Sequence, residues 1–150
     1  MEYDYSKLFL DTNILVYATL KDFDEEKHHL SVKFLKHLYR NNKKQLIIST
    51  QILREFYAVV TNPKYLKKPL IPEQAINQIN YFKSVFMVLP VGLSVIDELE
   101  KLLTKYQITG QNIHDTTIVA TMNKNKIKTI ASFNTSDFNK FKEIDVIKPV

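Results

Sequence analysis

Residues 7–18, KLFLDTNILVYA, contain the pattern that decides the fold. Residues 7–10 (KLFL), apolar after the first lysine, are typical of a short buried strand, and Asp11 follows directly. A second apolar run at residues 14–18 then favours a short helix, opened by Thr12 or Asn13. The pattern therefore predicts a strand, a tight turn and a helix, with a carboxylate at the carboxyl end of the strand.

The same alternation of short apolar runs and helical patterns continues along the chain. Further strands are predicted at residues 45–48, 86–89 and 128–131, with a short edge strand at 145–147. Helical periodicity lies at residues 24–41, from 49 or 50 to about 61, from 72 onward, from 94 onward and at 113–124. Pro72 suits the first position of its helix, and Ser94 is expected to cap the next one.

Strands that alternate with helices imply parallel pairing of the strands. We therefore expect residues 1–150 to form one domain. Its fold class is expected to be α/β, a three-layer α/β/α sandwich around a central, mainly parallel sheet of four to five strands.

Composition excludes several classes of site. The chain has no cysteine, which removes disulfides, thiolate metal sites and cysteine nucleophiles, and it has only two glycines, too few for a glycine-rich phosphate loop. No apolar run approaches the roughly 20 residues of a membrane span, and the acidic start at residues 1–5 is unlike a secretory signal. We therefore expect a cytoplasmic protein without membrane contact. The net charge of +5 suits a nucleic-acid partner, or simply a lysine-rich surface.

Two aspartates stand where apolar residues surround them. Asp11 lies between two apolar runs, and a buried carboxylate is costly unless it is paired, hydrogen-bonded or metal-bound. Asp115 shares a helix face with Ile118 and Val119, which is expected to be buried. Each residue has a plain structural alternative, because Asp11 also suits a helix N-cap and Asp115 a helix start favoured by the dipole.

Three further polar residues follow predicted strands. Glu55 lies beside Val59 at the edge of the apolar stripe of its helix, where an ordinary surface glutamate is the alternative. Asn134 and Asp137 follow the strand at 128–131, in a stretch whose residues also suit a turn. The carboxyl ends of parallel strands lie at one edge of a sheet, so these residues are expected to meet Asp11 there.

Carboxylates that converge repel one another unless a cation neutralises them. Oxygen ligands favour Mg²⁺ or Mn²⁺ over Zn²⁺, and such an ion activates water and stabilises charge on a phosphoryl group. Together with the basic surface, the acidic set indicates hydrolysis of phosphodiester bonds.

At these residues the sequence resembles the PIN-domain nucleases, especially the VapC-like toxins of toxin–antitoxin pairs. The matching stretches are residues 8–15 (LFLDTNIL), 49–56 (STQILREF), 113–120 (IHDTTIVA) and 129–138 (TIASFNTSDF). The resemblance covers nearly the whole chain and keeps the order and spacing of the four stretches. It implies an α/β/α sandwich and an endoribonuclease that depends on Mg²⁺ or Mn²⁺.

The resemblance also implies roles for individual residues. Asp11 and Asp115 are expected to bind the metal directly or through water, and Glu55 to complete the catalytic set. The last catalytic position is left to Asp137 or Asn134, because Asn134 stands where some members of the family carry an acid. Supporting or substrate-orienting positions are expected at Thr12, Asn13, Thr116 and Asn134, of which Thr116 replaces the alanine usual after the aspartate. None of the four histidines is assigned to catalysis.

The expected partners are an RNA substrate, a cognate antitoxin and a second copy of the chain in a homodimer. Lys64, Lys67 and Lys68, with Tyr65, are candidates for RNA contact, although a solvated loop explains them equally well. Two alternatives remain: a PIN nuclease that processes RNA without an antitoxin, and a nucleic-acid-binding module whose site is degenerate because of Asn134.

Overall fold

The computed structural model describes residues 6–41 and 44–150, so the acidic residues at the start of the chain lie outside the described part. Its five strands are β1 (Lys7–Leu10), β2 (Gln45–Ser49), β3 (Met87–Leu89), β4 (Thr129–Ala131) and β5 (Asp145–Ile147). They form one sheet in the order β3-β2-β1-β4-β5, and every neighbouring pair is parallel.

Helices flank this sheet and connect its strands. They are α1 (Thr12–Thr19), α2 (Glu25–Asn41), α3 (Thr50–Val60), α4 (Pro72–Val85), α5 (Leu93–Lys105), α6 (Ile113–Lys124) and the short α7 (Thr135–Phe138). A turn of 3₁₀-helix at Gly110–Asn112 precedes α6. The predicted α/β/α sandwich is confirmed, with a sheet that is entirely parallel in the described residues. None of the described helices is long and apolar enough to cross a membrane.

The core explains why the central strand reads as an unbroken apolar run. Leu8, Phe9 and Leu10 have no exposed surface, because β1 pairs on both sides and helices cover both faces of the sheet. Leu8 aligns with Leu46 of β2 on one side, and Leu10 aligns with Ala131 of β4 on the other. This register brings the residues that follow β1 and β4 next to each other.

The strand order also fixes where a ligand site is expected. From β1 the chain moves outward to β2 and β3, then crosses back to β4 on the opposite side of β1. In open parallel sheets, ligands bind in the crevice outside the carboxyl ends of the strands at such a reversal. This crevice lies between β1 and β4, and Asp11 and Ser132 directly follow these two strands.

The helix starts show where local sequence predicted correctly and where it did not. Pro72 opens α4 as predicted. Ser94 does not cap α5, because the helix already begins at Leu93, where the carbonyl of Gly92 accepts the first hydrogen bond from the Val95 amide at 3.1 Å. A backbone carbonyl thus starts this helix without help from a hydroxyl. The short helix α7 was not predicted from the sequence.

Candidate active site

Asp11 lies where β1 ends and α1 begins, and its side chain is 7% exposed. Its Oδ1 accepts a hydrogen bond from the Thr12 backbone N–H at 2.8 Å. Its Oδ2 accepts hydrogen bonds from the Ser132 hydroxyl at 2.6 Å and from the side-chain amide of Asn13 at 3.3 Å. The backbone amide of Asp11 donates to the Ala131 carbonyl at 3.0 Å, which continues the pairing with β4. Asp11 is therefore both the N-cap of α1 and a carboxylate fixed at the crevice.

Glu55 projects from α3 and has donors on both carboxylate oxygens. The Thr12 hydroxyl donates to Oε2 at 2.6 Å, and the Gln51 amide donates to Oε1 at 2.9 Å. The same Gln51 nitrogen donates to the carbonyl of His114 at 2.8 Å. Because His114 precedes Asp115 in the first turn of α6, this contact ties Glu55 to the helix that carries the next acid.

Asp115 and Asp137 complete the acidic set from α6 and α7. Asp115 is partly buried and Asp137 is exposed. Burial raises the pKa of Asp115 from its usual 3.8 to about 6, helped by the negative charges of Asp137 and Glu55 and opposed by the nearby Lys140 and His114. The two acids are therefore close enough for their charges to interact.

The pKa of Asp11 is also raised by burial and by neighbouring carboxylates. Burial raises it from 3.8 to about 6, and the charges of Glu55 and Asp115 add to this rise, while hydrogen bonds from Ser132 and Thr12 oppose it. Near neutral pH both aspartates lose their protons, and in residues 6–41 and 44–150 no ion pair engages either of them, so acidic charge is in excess at this site.

A single open cleft of about 420 Å³ joins these side chains. The residues from the sequence-based set that line it are Asp11, Thr12, Asn13, Glu55, Asp115, Asn134 and Asp137. Asn134 and Asp137 thus both reach the cleft, and Asp137 is the one that brings a charge. The rest of the lining is largely apolar or aromatic: Val16, Tyr17, Phe23, Ala58 and Val59.

Four of the predicted residues lie elsewhere. Thr116 is fully buried, and its hydroxyl donates to the Asn112 carbonyl at 2.8 Å, one turn earlier in the chain. Lys64, Lys67 and Lys68 are exposed in the loop between α3 and α4 and do not line the acidic cleft.

The donor chemistry of the cleft fits a hard divalent cation. All four acids offer oxygen, as Mg²⁺ and Mn²⁺ prefer. Within residues 6–41 and 44–150, however, no three His, Cys, Asp or Glu side chains are arranged to hold a metal ion. Mg²⁺ is commonly held by one or two carboxylates and several waters, so Asp11 and Asp115 are the side chains that would hold it here.

Two polar residues that contact the acids were missed in the sequence. Ser132 directly follows β4 as Asp11 follows β1, and the parallel register of these strands was the signal that could have identified it. Gln51 lies one helical turn before Glu55, and this spacing of four residues within α3 was the corresponding signal. Among the described residues, the buried side-chain oxygen Oε1 of Gln51 has no hydrogen-bond partner, so the hydrogen bonds of this side chain are those that its nitrogen donates.

Comparison with known proteins agrees with this architecture. A family model described as the PIN domain matches residues 8–145. No curated protein is a significant sequence match. Similar solved structures include VapBC2 from Rickettsia felis bound to a DNA fragment from its promoter, with a TM-score of 0.68, 22% identity, and coverage of 95% of this chain and 98% of that one.

Two further solved structures have the same fold. One is DNA-bound VapBC from Salmonella typhimurium, with a TM-score of 0.67, 18% identity, and 96% and 98% coverage of the two chains. The other is VapC20 of Mycobacterium tuberculosis, described as a sarcin–ricin loop cleaving toxin, with a TM-score of 0.65, 16% identity, and 91% and 98% coverage. At these identities the likeness shows the fold, and the family model, which spans most of the chain, shows that this protein belongs to the PIN-domain family.

Proposed function

We propose that this protein is an endoribonuclease that depends on Mg²⁺ or Mn²⁺ and hydrolyses phosphodiester bonds of RNA as the toxin of a toxin–antitoxin pair. The observation that carries the proposal is the convergence of Asp11, Glu55, Asp115 and Asp137 on one cleft at the reversal of the sheet. Membership of the PIN-domain family supports nuclease chemistry at this cleft.

In this proposal Asp11 and Asp115 hold the metal, directly or through water. The bound ion supplies an activated water and neutralises charge that develops on the phosphoryl oxygens. Ser132 and Asn13 fix the orientation of the Asp11 carboxylate through their hydrogen bonds. Thr12 and Gln51 fix the orientation of the Glu55 carboxylate, which lines the acidic cleft.

In this proposal Asp137 takes the fourth position of the site, because, unlike Asn134, it adds a negative charge near Asp115. Asn134 lines the same cleft, and its backbone N–H donates to the Ser132 hydroxyl at 3.0 Å. In this arrangement Asn134 supports the hydrogen-bond chain to Asp11, and Asp137 contributes the charge.

The choice of RNA and the toxin assignment have separate support. The net charge of +5 suits a polyanionic substrate. Among the similar structures, one is described as a toxin that cleaves the sarcin–ricin loop and others are VapBC complexes. The proposal includes a cognate antitoxin and a homodimer. It requires a short neighbouring reading frame whose product binds this protein and blocks RNA cleavage.

The proposal is tested by cleavage of a structured RNA with Mg²⁺ or Mn²⁺, and again with EDTA. We expect cleavage that needs the metal and falls by about 100-fold or more in Asp11→Asn and in Asp115→Asn, because each variant removes a charge that stabilises the transition state. Asp97→Asn is the matched control, since Asp97 is exposed on α5 and does not line the cleft. Equal cleavage by the wild type and both site variants would contradict the proposal.

A further inference from the structure

A second cleft lies beside the acidic one. It has a volume of about 660 Å³, and its walls come from the segment after α1 and the loop that precedes α4. We call it the lysine–aromatic cleft and define it by Lys21, Phe23, Tyr65, Lys67 and Lys68. Its volume is in the range of roughly 300–1,000 Å³ that is usual for small-ligand pockets.

The loop that presents Tyr65 is anchored. Leu66 is 9% exposed, and its amide donates to the Asn62 carbonyl at 3.3 Å. Farther along, the Leu70 amide donates to the Val60 carbonyl at 2.8 Å. Tyr65 nevertheless leaves 70% of its surface exposed. The fold therefore holds an aromatic ring in solvent on a fixed backbone, which lowers the entropic cost of using it in binding.

The charge of the lysine–aromatic cleft is positive. Three lysines line it against one acid, Asp22. Among the residues that the structure describes, no ion pair engages Lys21, Lys67 or Lys68. Their ammonium groups are therefore available to an anion.

The lysine–aromatic cleft adjoins the acidic cleft at one shared residue. Phe23 lines both of them. Its ring stacks on Tyr17 with the centroids 5.6 Å apart and an angle of 18° between the planes, and Tyr17 also lines the acidic cleft. Phe23 still has 43% of its surface exposed. An extended polyanion in the acidic cleft would therefore continue over aromatic rings toward the lysines.

We propose that the lysine–aromatic cleft binds the single-stranded segment of RNA that flanks the scissile phosphate. Bases stack on Phe23 and Tyr65, and phosphates contact Lys21, Lys67 and Lys68. The single strand follows from the rings, because only unpaired bases can stack on aromatic side chains. This inference rests on the proposed function and adds the form of the substrate next to the cut.

The test is binding of a fluorescently labelled 12-nucleotide oligouridylate to the full chain in EDTA, where no metal supports cleavage. We expect Phe23→Leu and Tyr65→Leu each to weaken the affinity by about tenfold, as is typical for loss of one base–ring stack. Tyr39→Leu is the control for the rings, because Tyr39 is 67% exposed on α2 and lies outside this cleft. Thermal denaturation verifies that each variant is folded.

The lysines are tested through the salt dependence of the same binding. The slope of log affinity against log salt is negative, and the double variant Lys67→Gln/Lys68→Gln should make it shallower by about 1.4. Each phosphate contact on a single strand contributes about 0.7 to the steepness of this slope. Lys33→Gln, an exposed lysine on α2, is the control and should bind with nearly the wild-type affinity.

Unchanged affinity in folded Tyr65→Leu and Phe23→Leu would overturn the proposal. So would equally strong competition by duplex RNA, or an effect of these variants on binding of poly-glutamate but not of RNA, which would assign the cleft to an acidic protein. Failure of this inference is distinct from failure of the proposed function. Metal-dependent RNA cleavage together with RNA binding that does not depend on Phe23 and Tyr65 would contradict only this inference. RNA binding that depends on these two rings, without any cleavage, would contradict the proposed endoribonuclease function.

Discussion

Asp11 has two roles in the structure because the chain passes directly from β1 into α1. The turn needs an N-cap, and Asp11 provides it by accepting the Thr12 amide. The same position lies at the crevice between β1 and β4, where the other oxygen of the carboxylate accepts the Ser132 hydroxyl. The two readings of Asp11 that the sequence left open are therefore compatible, since each uses a different oxygen.

The metal-free protein should be less stable when Asp11 is ionised. The pKa of Asp11 rises from 3.8 to about 6 on folding, chiefly through burial. The folded state thus holds its proton more tightly, so this contribution to stability is complete below pH 4 and is lost as the pH rises through about 6. At about 1.4 kcal/mol per unit, the upper limit of the loss is about 3 kcal/mol.

Asp11→Asn should therefore raise the free energy of unfolding in EDTA at pH 7.5 by about 1–2 kcal/mol, because the amide removes the charge but loses one hydrogen-bond acceptor. The gain should shrink as the pH falls toward 4. Urea denaturation at pH 4, 5, 6 and 7.5 measures it, with Asp97→Asn as the exposed control. A variant no more stable than the wild type at pH 7.5 would show that the fold tolerates the buried charge.

At the scale of elements, the site depends on three helices held together by polar contacts. Thr12 of α1 and Gln51 of α3 both donate to Glu55, and Gln51 also donates to the backbone at the start of α6. The strands and most helices were predictable, because apolar runs and helical periodicity are local patterns. These contacts were not, because they depend on how α1, α3 and α6 pack, which local sequence does not encode.

Errors in the predicted elements have the same origin. Ser94 is a good N-cap residue by type, but the helix α5 begins one residue earlier at Leu93. Ser132 is a turn residue by type, but the register of β1 and β4 places its hydroxyl 2.6 Å from Asp11. In both cases the backbone path fixed the outcome, and residue preference was only a weak guide to it.

Gln51→Met should lower the rate of RNA cleavage by about tenfold while leaving the free energy of unfolding within about 1 kcal/mol, since methionine keeps the volume but cannot orient Glu55. The effect should disappear in a Glu55→Gln background if Gln51 acts through Glu55. Single-turnover cleavage by the wild type, both single variants and the double variant measures this.

Gln78→Met is the control for Gln51→Met, since Gln78 lies on α4 and does not line the acidic cleft. A loss of rate that is the same with and without Glu55 would mean that Gln51 acts independently, for example by placing α6. A wild-type rate in Gln51→Met would remove Gln51 from the site altogether.

At the scale of the whole molecule, topology explains why a chain with a net charge of +5 has an acidic cleft. The reversal of strand order at β1 opens the crevice, and four acids reach it: Asp11 after β1, and one acid each from α3, α6 and α7. Lysines of the neighbouring loops border the second cleft. Charge of opposite sign in adjacent clefts suits a metal in one and a phosphate backbone in the other.

The sequence predicted this arrangement well at the level of fold class and acidic residues, because the acids that follow strands had to meet at one edge of a parallel sheet. It did not distinguish Asn134 from Asp137, and the structure brings both to the cleft. It also grouped Lys64 with Lys67 and Lys68, whereas only the latter two line the lysine–aromatic cleft. That residues 1–150 form one domain stays a prediction.

The central claim is that the acidic cleft binds a divalent metal through Asp11 and Asp115. The most direct measurement is a Mn²⁺ titration followed by the electron paramagnetic resonance of the free ion, at pH 7.5 and without RNA. We predict saturable binding by the wild type that weakens by at least about tenfold in Asp11→Asn and in Asp115→Asn and is unchanged in Asp97→Asn. Equal Mn²⁺ binding by the wild type and by Asp11→Asn would contradict the claim.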